Sequence, residues 1–277
     1  KPRQKFDHKG TYGHALLIGG SQGKIGSIVL ASKAVMSSGA GLVTSYVPKC
    51  GILILQTAVP EAMVITDHEE EEISKIDFDL QPKVIGIGIG LGTHNKTALA
   101  FESFLKTNKT QLVVDADAIN LLSKKKTLLK LLQPNTILTP HPKELERLIG
   151  KWKDDFDKIK KAKAFSKKFN VILIIKGAHT IIIQNDKLYV NSNGNPGLAT
   201  AGTGDVLTGI ITGLISQDYE PILAAVFGVY LHGRAADIAV EDLGYQSLLA
   251  SHVIDYLGEA YVDLFKQPEQ VNKTNEQ

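Results

Sequence analysis

Val84-Ile-Gly-Ile-Gly-Ile89 is an apolar run without a single polar residue. A half-exposed strand alternates apolar and polar positions. An unbroken short run reads instead as a strand covered on both faces, as in a parallel sheet sandwiched by helices. Leu112-Val-Val-Asp115, Thr136-Ile-Leu-Thr139 and Val171-Ile-Leu-Ile-Ile-Lys176 have the same character. Toward the N-terminus, His14-Ala-Leu-Leu-Ile-Gly-Gly20 ends in a glycine-rich turn, and Leu42-Val-Thr-Ser-Tyr-Val47 is rich in β-formers. Helical patterns lie between these runs: about Ile25 to Ser38 with small residues on one face, Lys96 to Lys106, Pro142 to Ile149, and the lysine-rich Asp154 to Phe169. Strands alternating with helices predict right-handed βαβ units around one central, mostly parallel sheet. Thr180 to Gln184 and Lys187 to Asn191 flank the turn signal Asn185-Asp186, which predicts an antiparallel hairpin on that sheet. The last third reads as helices over Gly204 to Ile215, Pro221 to Val240 and Ser247 to Phe265.

Nothing repeats at a fixed period and no Pro/Ser-rich linker divides the chain, so residues 9–266 read as one domain. Residues 1–8 read as a linker or junction and 267–277 as a polar tail. The chain has 277 residues, and 31 Lys plus Arg face 29 Asp plus Glu. That balance gives no electrostatic case for nucleic acid. Cys50 is the one cysteine, which excludes an internal disulfide and suits a reducing, cytoplasmic setting. No apolar run approaches the ~18 residues of a membrane span, and the first residues lack the apolar core of a signal peptide. The expectation is no membrane partner.

The densest chemical signal is Asn193-Gly-Asn-Pro-Gly-Leu-Ala-Thr-Ala-Gly-Thr-Gly-Asp205, followed by a helix. Glycines let successive N–H groups converge, and a helix N-terminus favours an anion. Gly202, Thr203 and Gly204 would cradle phosphoryl oxygens, and Asp205 in the first turn would accept a proton from an attacking hydroxyl. The competing reading is a glycine turn with an acidic helix cap. No Gly-Lys-Ser/Thr follows, so this is not a Walker A loop. Gly86-Ile-Gly-Ile-Gly-Leu-Gly92 is not a dinucleotide fingerprint either, because its glycines alternate. Those glycines serve close strand packing, or the approach of a ligand near Gly90.

Ala201-Gly-Thr-Gly-Asp205 before a long helix resembles the anion-hole and base motif of the ribokinase-like superfamily. Lys9-Gly-Thr-Tyr-Gly13, Pro60-Glu-Ala62, Asp115-Ala-Asp-Ala118, Thr139-Pro-His-Pro142 and Lys176-Gly-Ala-His-Thr180, in this order, narrow the resemblance to the ADP/ATP-dependent NAD(P)H-hydrate dehydratases. It runs from about Lys9 to Leu264. It implies a three-layer α/β/α ribokinase-like fold and repair of NADH or NADPH hydrated at the nicotinamide 5,6 bond. ADP or ATP, with Mg²⁺, phosphorylates the C6 hydroxyl of the S-epimer, and phosphate then leaves.

Carried over by motif, Asp205 is the catalytic residue and Gly204 belongs to both anion hole and nucleotide site. Lys176, Gly177, Ala178, His179, Thr180 and Asn195 match the nucleotide-binding loops. Ser27, Gly90 and His141 match substrate contacts together with Asp205, although the family usually has Ala where this chain has Ser27. Dinucleotide contact is the favoured role for His141, against that of a satisfied loop residue. Glu144, three residues on, resembles the Glu of an Asn-x-x-Glu signature that orders a hydrated Mg²⁺, and a surface carboxylate is its alternative. Asp115 either sits near the transferring phosphate or caps the following helix. His232 reads as a packed helix-face residue, Glu69 to Glu72 as a solvated acidic stretch, and Lys158 to Lys168 as a solvated basic face.

The resemblance also implies a homo-oligomer, a tetramer in relatives. Since the sequence does not open on Met, a fused epimerase domain ahead of it is a further expectation. Two other functions compete: a ribokinase-like kinase for a small alcohol, which would release a stable phosphoester, and a non-catalytic nucleotide-binding module.

Overall fold

The computed structural model describes residues 3–265. Seven strands run parallel: β1 (His14–Ile18), β2 (Leu42–Val47), β3 (Met63–Thr66), β4 (Val84–Ile87), β5 (Gln111–Val114), β6 (Ile137–Leu138) and β7 (Ile172–Ile175). β8 (Ile181–Gln184) and β9 (Lys187–Val190) add antiparallel to one edge. The sheet order is β3-β2-β1-β4-β5-β6-β7-β8-β9. The apolar runs are buried strands because both faces are covered. Ala15 and Leu17 point into one core layer, while Leu16 and Ile18 point into the other.

One layer is built by α1 (Ile25–Ser37), α2 (Ile52–Ala58), α7 (Thr203–Ser216), α8 (Pro221–Leu243), α9 (Ala250–Asp255) and α10 (Leu257–Phe265). The other holds α3 (Asn95–Thr107), α4 (Ala116–Lys124), α5 (Pro142–Ile149) and α6 (Asp155–Phe169). This is the three-layer α/β/α sandwich expected. The small face of α1 is used for close approach. A Cβ added to Gly209 would press on Ala31 and Ala34, and one added to Gly213 would press on Val35 and Ser38.

β1 lies between β2 and β4, so successive crossovers leave it in opposite directions. α/β sheets bind ligands at such a reversal, outside the carboxyl ends of the strands, here β1 and β4. Ser21 Oγ donates to the Gly90 carbonyl at 2.8 Å and Gly20 N–H to the Ile89 carbonyl at 2.9 Å, tying the loops after β1 and β4 together.

Some elements differ from the sequence reading. α2 and β3 were not expected. The helix read over Ser247 to Phe265 is two helices, broken at Tyr256, whose ψ of 3° leaves the helical range. α8 runs to Leu243 and has a mean hydropathy of 1.3 over an 18-residue window, long and apolar enough to cross a membrane by length and composition. This corrects the reading that no such stretch exists: His232, Arg234 and Asp237 interrupt the run without lowering its mean enough. Half of that window is buried within the protein, as in the core helix of a globular domain. Ahead of β1, Lys9–Tyr12 form a 3-10 turn. Arg3 stacks 4.0 Å from the Tyr12 ring and donates to the Gly39 carbonyl at 2.8 Å. The tail expected over 267–277 lies outside the described residues.

Candidate active site

Gly202 is the N-cap of α7, and its φ of +91° suits a residue without a side chain. Val206 N–H returns to the Gly202 carbonyl, so helix geometry leaves Thr203, Gly204 and Asp205 with N–H groups that have no partner within the helix. The Thr203 hydroxyl is turned inward, donating to the carbonyls of Leu198 at 2.9 Å and Thr200 at 3.0 Å. Its backbone, not its side chain, is therefore what the site can use. Gly202 itself packs inward, since a Cβ there would meet Leu30 and Ala250.

Lys176, just beyond β7, reaches this helix end. Its Nζ donates to Asp115 Oδ1 at 2.8 Å, and a Cβ on Gly204 would lie 3.4 Å from that Nζ. Asp115 is buried and fully engaged: Oδ1 also accepts Ala116 N–H at 2.8 Å, and Oδ2 accepts the Thr208 hydroxyl at 2.8 Å. It caps α4, one of the two roles read for it, and it also holds the lysine. Ala116 carries φ +49° at the turn that aims this carboxylate, a strained value for a residue with a Cβ. Burial alone would push the Lys176 ammonium down. Asp115, with Glu144 and Asp205 also near, outweighs burial and holds it above the ordinary lysine value.

Asp205 sits among Ser27, Asp115, Lys176 and Asp117. Burial raises its carboxyl from 3.8 to about 6, against the Ser27 hydroxyl and Lys176, which favour the ionised form. Gly90, φ +61°, lies against the start of α1: a Cβ there would meet the Lys24 carbonyl at 2.7 Å and Ser27 Cβ at 3.2 Å. Gly86 and Gly88 are also pressed by protein atoms, from Leu17, Thr212, Asp115 and Ala118. Close packing is thus one use of Gly86, Gly88 and Gly90, while Gly92, φ +84°, meets only Ser21 Oγ at 3.9 Å.

His141 and Glu144 form the capping box of α5. Nδ1 of His141 accepts Lys143 N–H at 3.1 Å and Glu144 N–H at 3.4 Å, while Glu144 Oε2 accepts His141 N–H at 2.9 Å. The imidazole keeps 45% of its surface exposed, and Glu144 only 6%. Burial and Lys176 depress the His141 pKa, and burial raises that of Glu144. Glu144 is thus no surface carboxylate. Among the described residues no three His, Cys, Asp or Glu side chains converge to hold a metal. That donor set fits a hydrated cation arriving with a nucleotide's phosphates, touched through water by Glu144, and not a protein cage.

On the far side of Gly204 a cavity of about 550 Å³ opens, lined by Lys176 to Thr180 and by the 193–199 loop. All seven residues assigned to nucleotide binding from the sequence, Lys176, Gly177, Ala178, His179, Thr180, Asn195 and Gly204, are on its walls. The loop is pinned to α8. Asp237 accepts Gly194 N–H at 2.9 Å and Asn195 Nδ2 at 3.0 Å, and Asn193 Nδ2 donates to the Tyr230 carbonyl at 2.9 Å. Gly233 leaves the room, because a Cβ there would run into Asn193. His232, buried as expected, donates through Nε2 to the Thr203 carbonyl at 3.0 Å, and burial lowers its pKa to about 4. Asp237, Thr208 and Gly233 were not singled out in the sequence, where they look like ordinary helix residues.

The acidic stretch Glu69 to Glu72 is tied down as well as solvated. Its carbonyls at Glu69, Glu70 and Glu71 accept N–H groups of Lys49, Cys50 and Gln22, and its side chains pair with Lys96 and His94.

A doubly covered parallel sheet with an edge hairpin, and a Gly-Thr-Gly-Asp helix start on the wall of a cleft, define a protein of the ribokinase-like class. Within that class, the NAD(P)H-hydrate dehydratase profile matches residues 15–259, and the chain belongs to that family. It is 37% identical to the ADP-dependent (S)-NAD(P)H-hydrate dehydratase of Neisseria meningitidis, over 91% of this chain and 86% of that one. It is 38% identical to the bifunctional NAD(P)H-hydrate repair enzyme of Moorella thermoacetica, over 92% of this chain; there it spans about half (50%) of the relative's length. The crystal structure of the Bacillus subtilis ADP/ATP-dependent NAD(P)H-hydrate dehydratase, co-crystallised with ATP/Mg²⁺, superposes with a TM-score of 0.78. It is 29% identical, covering 95% of this chain and 93% of the other.

Proposed function

We propose that this chain is a nucleotide-dependent repair lyase that dehydrates the S-epimer of NAD(P)H hydrate to NAD(P)H. The observation that carries this reading is the junction at Gly204. A cavity of about 550 Å³, a volume suited to a nucleotide, meets the helix end on one side, and Asp205 lies beside Ser27, which packs on Gly90 at the carboxyl end of the sheet, on the other. The Neisseria and Bacillus relatives, named for ADP- or ADP/ATP-dependent dehydration, support the choice of substrate and donor.

In this reading the C6 hydroxyl oxygen attacks the terminal phosphorus of ADP or ATP. Its proton passes to Asp205, and the bond to AMP or ADP breaks. Little deprotonation is needed in a loose transition state, so a carboxylate with a pKa near 6 suffices. Thr203 and Gly204 N–H groups, with the Lys176 ammonium, face the charge on the transferring oxygens. The C6–O bond then breaks as the ring nitrogen lone pair pushes toward C6. Inorganic phosphate departs, and loss of a C5 proton restores the dihydropyridine. Mg²⁺, when bound with the nucleotide, offsets phosphate charge, with Glu144 reaching it through water. His141 contributes an exposed imidazole edge to the substrate side. Cytoplasmic residence and a homo-oligomeric, tetrameric state belong to the same proposal.

The test is stoichiometric. Purified protein given NADH hydrate, Mg²⁺ and ADP should release one inorganic phosphate per NADH recovered. Accumulation of a stable phosphoester in place of free phosphate would make the protein a small-molecule kinase.

A further inference from the structure

We propose that Ser27 is a positioning residue for Asp205: its hydroxyl donates to one carboxylate oxygen and leaves the other for the reacting hydroxyl of the substrate. The inference rests on the reading of Asp205 as the base.

Helix register carries it. Gly209 of α7 lies on Ala31 of α1, and Gly213 lies on Val35. Both steps are four residues in the same direction, so the helices run parallel in constant register, and residues four apart share a face. One turn nearer the N-termini, that register sets Asp205 opposite Ser27. The two side chains face each other across the seam, and the Ser27 hydroxyl favours the ionised Asp205 carboxyl. Gly90 packs against the start of α1 here: a Cβ on it would lie 3.2 Å from Ser27 Cβ.

The groups facing Asp205 come from four elements: Ser27 on α1, Asp115 after β5, Asp117 on α4 and Lys176 after β7. Two of them are carboxylates, which oppose its ionisation. Of the two donors, Lys176 is committed to Asp115 at 2.8 Å. Of the groups around Asp205, Ser27 opposes burial most strongly in keeping the carboxyl ionised, ahead of Lys176. A hydrogen bond to the charged form favours that form and fixes its rotamer.

The experiment titrates the Asp205 carboxyl by ¹³C NMR in the full chain and records kcat/KM against pH, for wild type, Ser27→Ala, Ser27→Thr and Asp205→Asn. In Ser27→Ala both midpoints should move up by about one pH unit, the size of losing a charge-assisted hydrogen bond. Ser27→Thr, which keeps the hydroxyl, should return them to the wild-type value. Coincident titrations for wild type and Ser27→Ala, beside an inactive Asp205→Asn, would overturn this inference alone. An active Asp205→Asn would overturn the base assignment, and this inference with it.

Discussion

Lys176 Nζ and Asp115 Oδ1 form a 2.8 Å ion pair beside the cavity wall, and they follow strands that are neighbours only through β6. Asp115 is 2% exposed, so the lysine is its compensating charge. Lys176→Met should strand that carboxylate and destabilise the protein by about 3 kcal/mol, read by urea unfolding. The same variant should weaken ADP binding, read by calorimetry, because the ammonium leaves the cavity wall.

Asp205→Asn separates binding from chemistry. The variant keeps the cavity walls and the α7 amides, so ADP affinity should stay within a few-fold of wild type. Turnover should fall by about 10²–10⁴-fold, the usual contribution of a positioned base.

The Asp205 carboxyl also fixes a pH dependence. A base must be ionised, and its pKa near 6 predicts that kcat/KM rises with pH through about 6 and is level above it. For stability the sign is opposite. Its folded value lies above the unfolded 3.8, so its contribution is present below 3.8 and lost as pH rises through about 6. At pH 7 Asp205→Asn should therefore gain up to about 3 kcal/mol, two pKa units' worth, in chemical denaturation.

His232 works the other way. Its folded pKa of about 4 lies below the unfolded 6.5, so its contribution is present above 6.5 and lost as pH falls through about 4. Between about pH 4 and 6 the two groups oppose each other. Asp205→Asn should uncover a steeper loss of stability with acid than wild type shows, and adding His232→Gln should flatten it again.

Gly233 tests the nucleotide loop without touching a charged group. Gly233→Ala drives a methyl into Asn193 and should lift the 193–197 loop from α8. The KM for ADP should rise by about tenfold while kcat changes less, and Asp237→Ala, which removes two acceptors from the loop, should behave alike.

Much of this was legible in the chain because its signals are local. Buried strands show as unbroken apolar runs, and Gly204-Asp205 shows as glycine beside a carboxylate at a helix start. Lys176 to Thr180 shows as a lysine and glycine at a strand end. What was not legible depends on distant partners: Asp115 and Lys176 are 61 residues apart, and Gly194 and Asp237 are 43 apart. Asp237 on α8 has no local signature, since a lone polar residue on a long helix is ordinary. Ser27 opposite Asp205 follows from the packing of Gly209 on Ala31, which a single sequence does not display. β3 escaped notice as a four-residue edge strand whose first side chain, Met63, is exposed.

The most direct measurement is absorbance at 340 nm with purified protein, NADH hydrate, Mg²⁺ and either ADP or ATP. A rise that requires the nucleotide is the predicted result, and the nucleotide that gives it names the phosphoryl donor. No rise with either, from folded protein that binds them, would contradict the account.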